Sequence, residues 1–148
     1  MGKAMATRRK PLAEALGREH AVLVEQLLQL EQAAGLPPEE GEPRVRSQLA
    51  RVREHLLKHF RFEEENGYMD AALAHQPLLE RVGQQLFAEH RQLADGLAAL
   101  IAEANAGHGG DPSFGAKVRA WVDQVRQHEH REVMLIEDAF CLDIGTKD

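Results

Sequence analysis

Three breaks rich in Pro and Gly cut this chain into four long stretches, and no stretch shows the alternation of a β-strand. The breaks fall at 35–43, at Asn66-Gly67 and at 107–112. Asn66-Gly67 reads as a helix C-cap, and Asp111-Pro112 reads as an N-cap followed by the first helical residue. The stretches between them, about 11–34, 43–66, 77–106 and 112–142, are rich in Leu, Ala, Glu, Gln and Arg. Those are good helix formers, so four helices are expected. The segment 68–76 is ambiguous and has room for one short helical turn. Short connections between long helices favour antiparallel neighbours. The expected fold is therefore all-α, an up-down-up-down antiparallel four-helix bundle over 11–142. A flexible basic tail at 1–10 and a short tail at 143–148 flank it.

Steps of three and four residues line one face of each helix. They give Leu16, His20, Leu23, Leu27, Leu30 and Ala34 on the first, and Val45, Leu49, Val52, Leu56, His59 and Glu63 on the second. The third face carries Leu79, Val82, Leu86, His90, Leu93, Leu97, Leu100 and Ala104. The fourth carries Phe114, Val118, Trp121, Val125, His128, Glu132, Leu135, Ala139 and Leu142. Only His20, His59, Glu63, His90, His128 and Glu132 interrupt an otherwise apolar seam. No Ser, Thr, Asn, Gln, Lys or Arg joins them. Counted from the helix ends at ~1.5 Å per residue, all six fall in the same half of the bundle.

Composition narrows the function classes. With 148 residues the chain forms one domain and can bury a core without a disulfide or metal. The net charge of −6 argues against a general nucleic-acid binder. Cys141 is the single cysteine, which excludes an internal disulfide and zinc sites built on paired cysteines. No apolar leader or membrane-length apolar run occurs, so a cytoplasmic protein with no membrane or nucleic-acid partner is expected.

Carboxylates buried in an apolar core cost several kcal/mol each even after relaxation. A pair of metal cations removes that cost, since imidazole suits Fe, Zn and Cu, and carboxylates can bridge two ions. The spacings His59-x3-Glu63 and His128-x3-Glu132 put both members of each pair on one helical face. The competing reading is a set of core histidines satisfied by hydrogen bonds to the two glutamates. It needs a separate buried partner for each of four rings on four helices. A ferritin-like site needs Glu-x-x-His, and no His here has Glu three residues before it. His55 lies one turn before His59 and Tyr68 just beyond the second helix, so both are possible additional ligands. Glu64 and Glu89 sit beside seam residues at angles that point away. His130 should also face away, and His75 and His108 fall in loops.

The order of one His, His-x3-Glu, one His and His-x3-Glu on successive helices resembles the hemerythrin-like, or HHE cation-binding, domain family. The text His59-Phe60-Arg61-Phe62-Glu63-Glu64-Glu65 is similar to that family's second-helix motif, and the resemblance spans about 12–140. It implies two non-haem irons with an oxo or hydroxo bridge. His20, His59, His90 and His128 would be terminal ligands, and Glu63 and Glu132 bridging carboxylates. It further implies O2 or another small diatomic or peroxide ligand as partner, bound or sensed at the centre, with no catalytic side chain assigned. The alternatives are a di-iron enzyme that reduces peroxide or NO or oxidises a small substrate, and an iron storage or iron-sensing module. Two features depart from the oxygen carriers of that family. Those have a second His on the third helix, where this chain has Leu86 and Ala94 one turn either side of His90. They also use His-x4-Asp on the fourth helix in place of His128-x3-Glu132.

Overall fold

The computed structural model describes residues 2–66 and 77–145, with side chains described for 17–65, 78–135, 137 and 138. Among the described residues four helices carry the fold: α1 (Gly2–Ala34), α2 (Pro38–Asn66), α3 (Pro77–Asn105) and α4 (Pro112–Gly145). A 3-10 turn, His108–Gly110, joins α3 to α4, and no strand occurs among the described residues. In the pattern of a four-helix bundle, α1 packs on α2 and α4, and α3 packs on the same two. Arg126 of α4 reaches Glu31 of α1 at 2.7 Å, and Lys117 of α4 reaches Glu103 of α3 at 3.0 Å. Among the described residues, no helix is long and apolar enough to cross a membrane.

The helix bounds differ from the expected ones mainly at two N-termini. α1 runs from Gly2, through the segment expected as a tail, where Lys3, Ala4 and Ala6 favour helix. α2 starts at Pro38 and not near 43. The Pro37 carbonyl accepts the backbone N–H groups of Glu40 and Gly41 at 3.0 and 2.8 Å, closing the first turn. Pro38 supplies a preset φ at the first helical position. Glu39 and Glu40 place negative charge at the positive end of the helix. Pro43 inside α2 forgoes one helical hydrogen bond without stopping the helix. Tyr68, His75 and the ambiguous segment lie outside the described residues.

Each described seam position is buried or half-buried. Leu23, Leu27, Leu30, Leu49, Val52 and Leu56 meet Leu93, Leu97, Val118, Val122 and Val125 in one core. Burying each leucine contributes ~1.5–3 kcal/mol. Trp121 fills its share of this core while its Nε1–H donates to the Leu93 carbonyl at 3.0 Å, so the indole is packed and satisfied. Gly107, in the left-handed region at φ 89°, turns the chain out of α3.

Gly41 shows how tightly α1 and α2 are joined. It is buried, and a Cβ placed there would stand 2.8 Å from the Ala33 carbonyl oxygen and 3.2 Å from that of Leu36. Both obstacles are backbone atoms, which cannot swing aside. Gly41→Ala is therefore expected to destabilise the fold by ~1–3 kcal/mol, as an overpacked contact does. A thermal melt with an unchanged midpoint would show that the α1–α2 connection tolerates the methyl group.

Candidate metal centre

Past His59 and His90 the apolar seam gives way to buried charge. Among the described residues, His59, Glu63, His90, His128, Glu129 and Glu132 are the buried polar ones, and Glu63 and Glu132 have no exposure at all. His20 joins them from α1, half-buried. Among the described residues two donor groups form, each with its ligating atoms within 4.8 Å of one another. One is His20, His59, Glu63, Glu129 and Glu132; the other is His90, His128 and Glu132.

The two seam glutamates each face both groups. One oxygen of Glu63 lies against His59 Nε2, and the other is 3.3 Å from His90 Nε2. Glu132 Oε1 is 3.6 Å from His20 Nε2, and its Oε2 is 3.3 Å from His128 Nε2. Glu129 belongs to one side only. Its Oε2 lies against His20 Nε2 and its Oε1 is 3.5 Å from His59 Nε2.

These atoms crowd one another, but none meets its neighbour at good hydrogen-bonding geometry. The Nε2 atoms of His20, His59, His90 and His128 and both oxygens of Glu63, Glu129 and Glu132 are buried and unsatisfied. Buried polar groups in native proteins are almost always satisfied, and a concentration of orphans needs an explanation. Nitrogen and oxygen lone pairs converging on common points fit a cation between them. The mixture of imidazole and carboxylate fits iron better than calcium or magnesium, which prefer oxygen alone.

Burial pulls His20 and His59 down, but the facing carboxylates outweigh it and hold them up at about 9 and about 10. His128 is also raised, against burial, by Glu132 and Glu89. Burial pushes Glu63 and Glu129 up, and their histidine neighbours win, holding both below the ordinary carboxylate value. A cation entering the site displaces protons from these rings.

The six seam residues named from the sequence are thus brought together. Glu129 was missed: it sits one residue past His128, outside the narrow seam. Glu64 and Glu89 do stay out of the donor groups, but they are not idle. His90 donates from Nδ1 to Glu64 at 3.1 Å, and His128 donates from Nδ1 to Glu89 at 2.9 Å. Arg131 holds Glu89 in turn at 2.6 Å. Carboxylates on the far nitrogen orient a ligating ring and make it a stronger donor. His55 is not brought into either group. Its Nε2 lies 3.3 Å from the Glu19 carboxylate, and its ring runs parallel to that of His59 at 6.4 Å. His130 is exposed. His108 is exposed too, with its Nδ1 3.6 Å from Asp111.

Four helices with imidazoles and carboxylates turned inward define a cation-binding bundle. The family model of the hemerythrin HHE cation-binding domain matches residues 12–138, and the chain belongs to that family. No curated protein and no solved structure matches it.

Proposed function

We propose that the chain holds two irons at a carboxylate-bridged centre and binds or senses O2 there, within helices that run up-down-up-down. The observation that carries this reading is the pair of glutamates, Glu63 and Glu132, each with one oxygen toward the α1–α2 histidines and one toward the α3–α4 histidines. A carboxylate with an oxygen on each side is the arrangement two neighbouring cations need. His20, His59, His90 and His128 would supply the nitrogen ligands, and Glu129 an added carboxylate. Bound iron would supply reversible electron transfer to a small ligand. The protein's part is to orient and to keep dry. Glu64 and Glu89 fix the His90 and His128 rings, and Phe60 stacks on His90 at a ring separation of 3.9 Å.

One observation favours a second reading, reduction of peroxide or NO. The group around His90 and His128 has fewer donors than the other, which leaves room for a reacting molecule. Iron storage or sensing is the third reading, and no particular contact favours it.

Aerobic purification, metal analysis and visible spectra cycled between O2 and argon separate these readings. The expected result is close to two irons per chain and a ligand-to-iron band that returns on each cycle. Irreversible bleaching with peroxide turnover would replace O2 binding by the enzymatic reading. Less than one metal per chain, or zinc alone, which has no redox chemistry, would end all three.

A further inference from the structure

We infer that the outer cleft between α1 and α2 binds a small hydroxylated phosphate ester, with Arg44 and Arg51 on the phosphate and Gln48 on a hydroxyl. The cleft has a volume of about 370 Å³. Gln29 and Gln32 of α1 line it together with Arg44, Ser47, Gln48 and Arg51 of α2. Arg51 stands eight residues before His59 on the same helix, ~12 Å along its axis. The cleft is thus separate from the metal centre, and what fills that centre has no bearing on it.

Charge singles this cleft out. In a chain with 24 acidic residues against 18 basic ones, arginines find carboxylates readily. Arg46 meets Glu42 at 3.3 Å, Arg126 meets Glu31 at 2.7 Å and Arg131 meets Glu89 at 2.6 Å. Arg44 and Arg51 have no carboxylate partner among the described residues, and no Asp or Glu lines the cleft. They stand two turns apart on α2, ~10.5 Å along the axis, and border the same space, so one anion between them answers both. A carboxylate has two oxygens and is filled by a single guanidinium fork. A phosphate monoester offers three, enough for a fork from each side. The net charge of −6 repels anions from the molecule as a whole, so binding depends on this local pair.

Gln48 is the second, independent sign. Its side-chain oxygen is buried and has no hydrogen-bond partner, and a buried polar atom left alone in a native protein needs an explanation. A hydroxyl both donates and accepts, so a ligand hydroxyl satisfies either end of this amide. Gln29 is already engaged, its Nε2 donating to Glu25 at 3.3 Å. Gln32 and Ser47 add further polar groups, and Ala33 and Leu36 give an apolar wall for the carbon skeleton. A cleft of this volume is in the range of small-molecule sites.

Calorimetric titration of the full chain at low ionic strength, where charge contacts are least screened, tests the site with ribose 5-phosphate, inorganic phosphate and ribose as probes. Ribose 5-phosphate should bind once per chain with a Kd below ~1 mM, inorganic phosphate more weakly, and ribose not measurably. Arg44→Gln and Arg51→Gln should each weaken ribose 5-phosphate at least ~10-fold, the loss expected for a hydrogen bond to a charged group. Both side chains are exposed, so the variants should fold, and circular dichroism checks that they do. Gln48→Leu should bring ribose 5-phosphate down to the affinity of inorganic phosphate. Arg53→Gln, exposed on the same helix but outside the cleft, should change nothing. The visible spectrum of an iron-loaded chain should stay as it is throughout the titration. A wild type that binds no ribose 5-phosphate below ~10 mM, or binds it no better than inorganic phosphate, would overturn the inference. Equal losses in Arg44→Gln and Arg53→Gln would also overturn it, because diffuse charge would then be the cause. So would binding that alters the visible spectrum and survives both Arg44→Gln and Arg51→Gln, which would place the phosphate at the metal. An unaltered preference for ribose 5-phosphate in Gln48→Leu would overturn the hydroxyl contact.

Discussion

Glu63→Ala or Glu132→Ala is expected to leave the purified chain with one iron or none. Each carboxylate is fully buried and has an oxygen toward both histidine pairs, so each alanine removes a donor from both sides at once. The loss is electrostatic as well as geometric. Two cations placed a few ångströms apart in a low-dielectric core repel strongly unless anions lie between them. Losing a single orienting partner of a metal ligand costs ~10–100-fold in affinity. Losing a shared ligand should exceed that, and elemental analysis after dialysis against a chelator will measure it. The conservative Glu63→Gln and Glu132→Gln keep the volume and one neutral oxygen, so they should fold like the wild type and still bind iron weakly. That pair separates a ligand effect from a packing defect. Two irons retained in either alanine variant would show that the glutamate does not bridge.

The seam histidines and glutamates could be read from the sequence because each takes a place that an apolar residue would otherwise hold. A polar residue in that register is either satisfied or functional, and the reading needs only helical spacing. Glu129 escaped because a narrow seam of one residue per turn was read along α4. The face is wider. Val118, Trp121, Val122 and Val125 are all buried, at steps of three, four and seven from the first. That is the broader stripe of a helix packed on two neighbours. Carried one heptad on, the stripe is Val125, His128, Glu129 and Glu132, and Val122 is the signal that position 129 faces inward. Phe60 follows His59 for the same reason. The contacts of Glu64 and Glu89 were not legible, because they depend on the heights of neighbouring helices and not on spacing within one. The start of α2 was legible in part. Pro-Pro-Glu-Glu reads as a loop by its prolines, yet it has Pro at the first helical position and acid in the first turn.

Removing the metal should reverse the way stability responds to pH. In the stripped chain the folded pKa values of His20 and His59, about 9 and about 10, stand above the ordinary 6.5. Protons on those rings therefore stabilise the fold fully below pH 6.5, and the benefit drains away as pH climbs through 9 and 10. Glu63 and Glu129 are lowered, so their contribution holds above the ordinary carboxylate value of 4.5 and fades as the pH falls. The stripped chain is then most stable between those two ordinary values and weakens on the alkaline side. Each ring can forfeit up to ~1.4 kcal/mol per pH unit, so two units above neutrality are enough to matter. A loaded chain behaves in the opposite sense, because ligation needs neutral imidazoles and protons compete with the metal. The gap in melting temperature between loaded and stripped protein should widen steadily from pH 6 to pH 8.5. At ~2–4 °C per kcal/mol for a chain of this size, the widening should reach several degrees and be plain in paired calorimetric scans. A gap that stays level or narrows would mean that the imidazoles give up no protons to the metal, which is incompatible with His20 and His59 as ligands.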